Sequence, residues 1–127
     1  MLAKAVCKYV RLSPQKTRLV IELIKGKTVE KAKAILMSTK HGSCHYCLKA
    51  LNSAFSNVNF AREEKLLEKD VFISKITADS GPTIKRFRAA TMGRATPILH
   101  RTAHIRIELD ATRVEAVKPA AKTKKSK

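Results

Sequence analysis

VFISKITADSGPTIKRFRAATMGRATPILHRTAHIRIELD, Val71 to Asp110, is the stretch that decides what kind of fold this chain can adopt. At its end Ile105, Ile107 and Leu109 alternate with His104, Arg106, Glu108 and Asp110, the two-residue period of a half-buried strand. At its start Val71 to Ala78 is rich in β-formers and reads as a second strand. Asp79 to Ala103 between them is too long for a tight turn, and structureless loops of that length are rare in small domains unless they have a function. Two long arms folded back on each other at Gly93 account for it. At ~3.3 Å per residue, arms of about nine residues would project ~30 Å from the body. From Ser80 to Ile107 the cations are Lys85, Arg86, Arg88, Arg94, Arg101 and Arg106, with no acid. An arm so basic and so poor in large apolar residues is expected to order only against RNA.

Working back from the arms, residues 3 to 11 read as a strand of untidy alternation, with Val6 and Val10 its best positions. Ser13-Pro14 predicts a helix start, serine as cap and proline in the first turn. Leu19, Val20, Leu23 and Ile24 follow as its apolar face, and Gly26 is the stop. Thr28 is the expected cap of a second helix with Val29, Ala32, Ile35 and Leu36 inward. Ser43 is the expected cap of a third, to about Phe60, with the stripe Cys44, Cys47, Leu48, Leu51, Ala54, Phe55 and Val58. Asn52, Ser53, Ser56, Asn57 and Asn59 fall opposite, suited either to RNA or to water. AREEKLLEK (61 to 69) is a charged connection. The expectation is an α+β fold: three helices packed on a small antiparallel sheet, a long protruding β-hairpin over 80–104, and a disordered basic tail. Residues 1–110 would be one domain and 111–127 the tail.

The 127 residues carry 27 Lys plus Arg against 10 Asp plus Glu, a net charge of +17. A compact chain so charged repels itself and calls for a polyanion, most commonly nucleic acid. An anionic membrane is the rival polyanion, but no apolar run approaches the ~18 residues of a span. Lys4, Lys8 and Arg11 interrupt the apolar N-terminus, which therefore does not read as a secretory signal. Three cysteines leave one unpaired under any disulfide scheme, which suits a reducing compartment. The charge is unevenly placed: Met1 to Ile21 holds Lys4, Lys8, Arg11, Lys16 and Arg18 with no acid, whereas six of the ten acids lie between Glu22 and Asp70. Lys16 and Arg18 open the first helix, where cations oppose the helix dipole and phosphate would compensate.

Cys44-His45-Tyr46-Cys47, with His41 nearby, invites a zinc or redox reading. One CxxC supplies half of a zinc site, and no spacing recruits Cys7 and His41 to complete it. A thioredoxin-like motif would follow a strand, and none precedes this one. Both cysteines fall on the apolar stripe of the third helix, so small buried hydrophobes are the favoured reading and no metal or cofactor is expected. His100 and His104 read as facing the same side of the return strand, without an acid partner. No phosphate loop, carboxylate pair or nucleophile elbow is present, and catalysis is not expected.

With the elements placed, the chain resembles the bacterial-type ribosomal protein L twenty-two family of the large subunit. The likeness covers roughly residues 4 to 109. It rests on LSPQKTRLVIELIKGK (Leu12 to Lys27), on LNSAFSNVNF in the third helix, and on GPTIKRF and MGRATPILHRTAHI across the hairpin. The resemblance implies a domain on the outer surface of the large subunit whose hairpin threads between RNA segments. Its tip, Met92, Gly93, Arg94 and Ala95, would line the tunnel through which the nascent peptide leaves. It also implies ribosomal RNA and neighbouring ribosomal proteins as partners, no membrane, and a cytoplasmic ribosome. The lack of an Arg- and Ser-rich leader favours a bacterial over an organellar one. RNA contact is expected at Lys16, Arg18, Lys85, Arg86, Arg88, Arg94 and Arg101, chiefly by phosphate neutralisation. The run Ala89-Ala90-Thr91-Met92 departs from the family's Pro-Arg-Ala-like run and makes the tip less basic. Two other classes stand beside this reading. A free nucleic-acid-binding module would occur away from ribosomes; a CxxC redox or zinc enzyme would hold metal or a depressed thiol pKa.

Overall fold

Proline at the first position of the first helix and glycine beyond its end bound that helix as the sequence predicts, and the computed structural model gives the rest of the architecture. It describes residues 2–61 and 65–111. In order these form strand β1 (Ala3–Val10), helices α1 (Pro14–Ile24), α2 (Val29–Ser38) and α3 (Gly42–Phe60), strand β2 (Val71–Ser80), strand β3 (Ile84–Ala89), a 3-10 turn (Thr91–Gly93), and strands β4 (Ala95–His100) and β5 (Ala103–Ala111). β1, β5 and β2 make an antiparallel sheet with β5 in the centre; β3 and β4 make a separate two-stranded hairpin. The fold is α+β, three helices on an antiparallel sheet, as expected. The expected basic tail lies, apart from Ala111, outside the described residues.

Ile105, Ile107 and Leu109 of β5 are fully buried, while the alternate residues face outward. They join Ile73 and Ile76 of β2 with Ile24, Val29, Leu51 and Val58 of the helices in one core. All three helices contribute to the side of the sheet that these residues occupy. The opposite face carries Val6, Lys8, Lys75, Asp79 and Arg106 exposed.

Several local expectations are corrected. Leu19 and Leu23 do not face inward: they are 64% and 47% exposed, and α1 buries Pro14, Thr17, Val20, Ile21 and Ile24 instead. The helix offers two apolar edges that share Val20 and Ile24. The Thr17 edge wins because the Thr17 hydroxyl donates to the Ser13 carbonyl at 2.9 Å and meets the Ser43 hydroxyl at 3.2 Å, which satisfies a polar group inside the core. Ser43 is therefore a buried partner and not a cap. His41 caps α3, its Nδ1 accepting from the Ser43 amide at 3.2 Å. Ser13 and Thr28 occupy the N-cap positions of α1 and α2 without a capping side-chain bond. In α2 Val29, Ala32 and Leu36 are buried and Ile35 partly so, as predicted.

The projecting arms are shorter than expected, six residues each, a reach of ~20 Å at ~3.3 Å per residue. The difference went to the body, since β2 and β5 keep pairing up to Ser80 and Ala103. His100 and His104 consequently lie on different strands, β4 and β5, rather than on one return strand.

Candidate nucleic-acid interface

The hairpin register pairs Lys85 with Leu99, Arg86 with Ile98, Phe87 with Pro97 and Arg88 with Thr96. Alternation then places Arg86 and Arg88 on one face and Lys85 and Phe87 on the other. Lys85, Arg86, Arg88, Arg94 and Arg101 are all exposed. Among the described residues their side chains form one hydrogen bond, the local one from Arg86 to the Lys85 carbonyl at 2.9 Å, and no described carboxylate forms a salt bridge with them. Phe87 lies across from Pro97, yet its ring is 74% exposed, so packing against its own hairpin leaves most of it open. The arm thus displays cations on both faces and one open aromatic ring. That pattern suits phosphate contact with room for base stacking.

At the tip Met92 and Gly93 both take positive φ, 57° and 69°, and the Ala90 amide closes the loop onto the Arg94 carbonyl at 2.8 Å. The Met92 side chain is 96% exposed.

The root is built tightly. The Gly81 amide donates to the Thr102 carbonyl at 2.9 Å, and the Thr102 hydroxyl returns a bond to the Pro82 carbonyl at 2.6 Å. A Cβ at Gly81 would run into the Thr102 hydroxyl and the His104 ring, so only glycine fits this crossing. Beside the root, Arg101 meets the start of α1 in a recess of about 300 Å³ lined by Arg11, Leu12, Ser13, Leu99, His100 and Arg101. Two arginines line this recess beside a helix N-terminus that has no acid in its first turn. That combination favours an anion. Neither Arg11 nor His100 is among the RNA contacts expected from the sequence. Arg11 sits in an acid-free run beside the Ser13-Pro14 start, but only folding brings it to Arg101.

Lys16 is exposed near this end of α1. Arg18 lies apart: its Nε donates to the Ala78 carbonyl of β2 at 3.2 Å, tying α1 to the sheet, and it borders a different recess with Glu22, Lys25 and Asp79. The structure thus gathers Lys85, Arg86, Arg88 and Arg94 on one arm, sets Arg101 at its root, and leaves Arg18 with a bond inside the protein.

Cys44 and Cys47 are buried among the core residues, and Cys7 is partly buried. Burial first, then the nearby Cys44 and Cys7 thiols, pushes the Cys47 thiol up to about 12. Metal binding and redox chemistry need a thiolate, and this environment opposes one. The Nδ1 of His41 is engaged in its capping bond. Replacing Cys44 and Cys47 together by alanine should lower unfolding stability by roughly 1–3 kcal/mol through lost packing. Denaturant unfolding and elemental analysis of the purified protein check this. Stoichiometric zinc that vanishes in the double variant would reverse the packing reading.

Residues 5–110 match the family model described as ribosomal protein L22p/L17e. Curated relatives agree. The large ribosomal subunit protein uL22 of Syntrophus aciditrophicus is 44% identical over 110 residues, 87% of this chain and 98% of that protein. That of Halothermothrix orenii is 45% identical over 107 residues, covering 84% and 93%. That of Koribacter versatilis is 42% identical, covering 93% of this chain and 78% of that protein.

Proposed function

Because the chain belongs to the ribosomal protein L22p/L17e family, we propose that it holds large-subunit ribosomal RNA with its hairpin and hairpin root, and sets the hairpin tip against the nascent-peptide tunnel. The family is one of large-subunit ribosomal structural proteins and not of enzymes. Residues up to Asp110 act in this reading as one RNA-binding unit, in the cytoplasm, on a ribosome of bacterial type, beside neighbouring ribosomal proteins.

One observation carries the RNA reading: Lys85, Arg86, Arg88 and Arg94 are exposed on a narrow two-stranded arm, with no described carboxylate to neutralise them. An isolated hairpin is marginal in water, and phosphates on both faces supply the missing stabilisation. Arg101 and Arg11 with the α1 N-terminus hold a further phosphate at the root, and Lys16 adds charge there. Arg18 contributes only the part of its guanidinium that its bond to Ala78 leaves free. Phosphate contacts place the protein without reading sequence, so RNA shape and unstacked bases supply the specificity.

The tip reading is tested sterically. Gly93 is a poor site for a bulky residue because its φ of 69° strains any L side chain. Ala95 is extended and exposed, and suits the purpose. A tagged Ala95→Trp chain should sediment with large subunits like the unsubstituted chain, while stalling of some nascent peptides changes in ribosome profiling. Absence of both chains from large subunits would sink the reading. Normal incorporation with no change for any nascent peptide would remove the tip from the tunnel.

A further inference from the structure

The sheet face turned away from the helices carries a recess of about 270 Å³, lined by Val6, Lys8, Tyr9, Asp79, His104 and Arg106. Its size falls just under the ~300 Å³ at which drug-sized ligand pockets begin, which suits a fragment as small as one nucleobase. Tyr9 is the unusual member. Its φ is 56°, a left-handed backbone that bulky residues rarely adopt. It sits where the pairing of β1 with β5 shifts register between Cys7 and Val10, and such irregularities re-aim side chains. The Tyr9 amide donates to His104 Nδ1 at 3.0 Å, and its ring meets the His104 ring edge-on at 4.8 Å. On the other side of His104, Gly81 leaves the room that its ring occupies.

This arrangement does not serve the core, because Tyr9 remains 66% exposed. Strained residues held in place by their surroundings cluster at ligand clamps. The strained turn, the locked histidine and the open ring form a small platform, flanked by the cations Lys8 and Arg106 and by one acid, Asp79.

We propose that this recess binds one unstacked base of the large-subunit RNA. Tyr9 is the stacking surface, Lys8 and Arg106 neutralise the flanking phosphates, and the Asp79 carboxylate accepts from a base amino or imino group. Aromatic rings with neighbouring cations are the common means of holding single-stranded bases. The site rests on the RNA reading above but lies on the body, apart from the hairpin, so the two can fail separately.

The test titrates the full chain with a short oligoadenylate and with an abasic ribose-phosphate oligomer of equal length. Tyr9→Ala should weaken oligoadenylate binding by roughly 5- to 100-fold and the abasic oligomer hardly at all. Tyr9→Phe should behave like the unsubstituted chain. The salt slope should be unchanged, because no phosphate contact is lost. In the unsubstituted chain the Tyr9 ring signals should move on adding oligoadenylate, while those of Tyr46, packed against the core, stay in place. This shift decides the matter even if Tyr9→Ala folds poorly. Unmoved Tyr9 signals together with unchanged Tyr9→Ala affinity would overturn the base site alone. Failure of the unsubstituted chain to bind either oligomer would overturn the RNA reading with it. If Tyr9→Ala bound both oligomers normally but failed to enter large subunits, the recess would belong to a neighbouring protein instead.

Discussion

Replacing Lys85, Arg86, Arg88 and Arg94 together by alanine is expected to flatten the salt dependence of RNA binding while leaving the fold of the free protein nearly untouched. Each cation on a phosphate releases counterions, so four such contacts contribute about 3 to the log–log slope. Between 50 and 200 mM salt that slope corresponds to about a 60-fold difference in how steeply affinity falls. The folding side of the prediction rests on placement. All four residues are exposed, and they sit on or at the tip of a sheet separate from the body. Their side chains form no ion pair with described residues, and exposed charges of this kind contribute little to folding. Fluorescence anisotropy against salt, set beside thermal unfolding of the same variant, makes the comparison. An unchanged slope with a large drop in melting temperature would mean that these cations hold the protein together and do not serve RNA.

Ile107→Ala should do the reverse. Ile107 is fully buried on the central strand, paired with Ala5 of β1 on one side and Ile76 of β2 on the other. Truncating it removes transfer free energy and leaves a cavity that strands bonded on both edges cannot close, at a cost of about 2–5 kcal/mol. For a domain of this size that lowers the melting temperature by roughly 10–30 °C. The preceding residue, Arg106, points to the open face, and Arg106→Ala should move the melting temperature by no more than a few degrees. RNA binding measured well below the melting temperature should survive Ile107→Ala with its salt slope intact. Similar melting losses for both variants would show that β5 does not bury one face and expose the other.

Much of this was legible in the sequence because the decisive signals are local. The alternation in His104 to Asp110 depends only on the strand's two-residue period, and β5 buries the alternate residues it names. The stripe on α3 follows from the helical period, with Cys44 and Cys47 inside it. The acid-free run marks the hairpin and Gly93 its turn, where the backbone takes a positive φ. Where two local solutions were nearly equal, the sequence could not choose. α1 has two apolar edges, and the edge of Leu19 and Leu23 looked the better. The buried Thr17–Ser43 hydroxyl pair selected the other, and that contact joins residues from different helices.

The sequence by itself determined the class of fold, the existence of a basic hairpin, and a net charge that calls for a polyanion. Period, turn residues and net charge are properties of neighbours along the chain. The tertiary structure alone decided that the last strand is the central one, how far the arms project, and that Arg11 joins His100 and Arg101 at the root. It also aimed Tyr9 at His104. Each of these depends on which distant segments pair and in what register. Pairing is set by the burial of a shared core, so no local pattern can encode it.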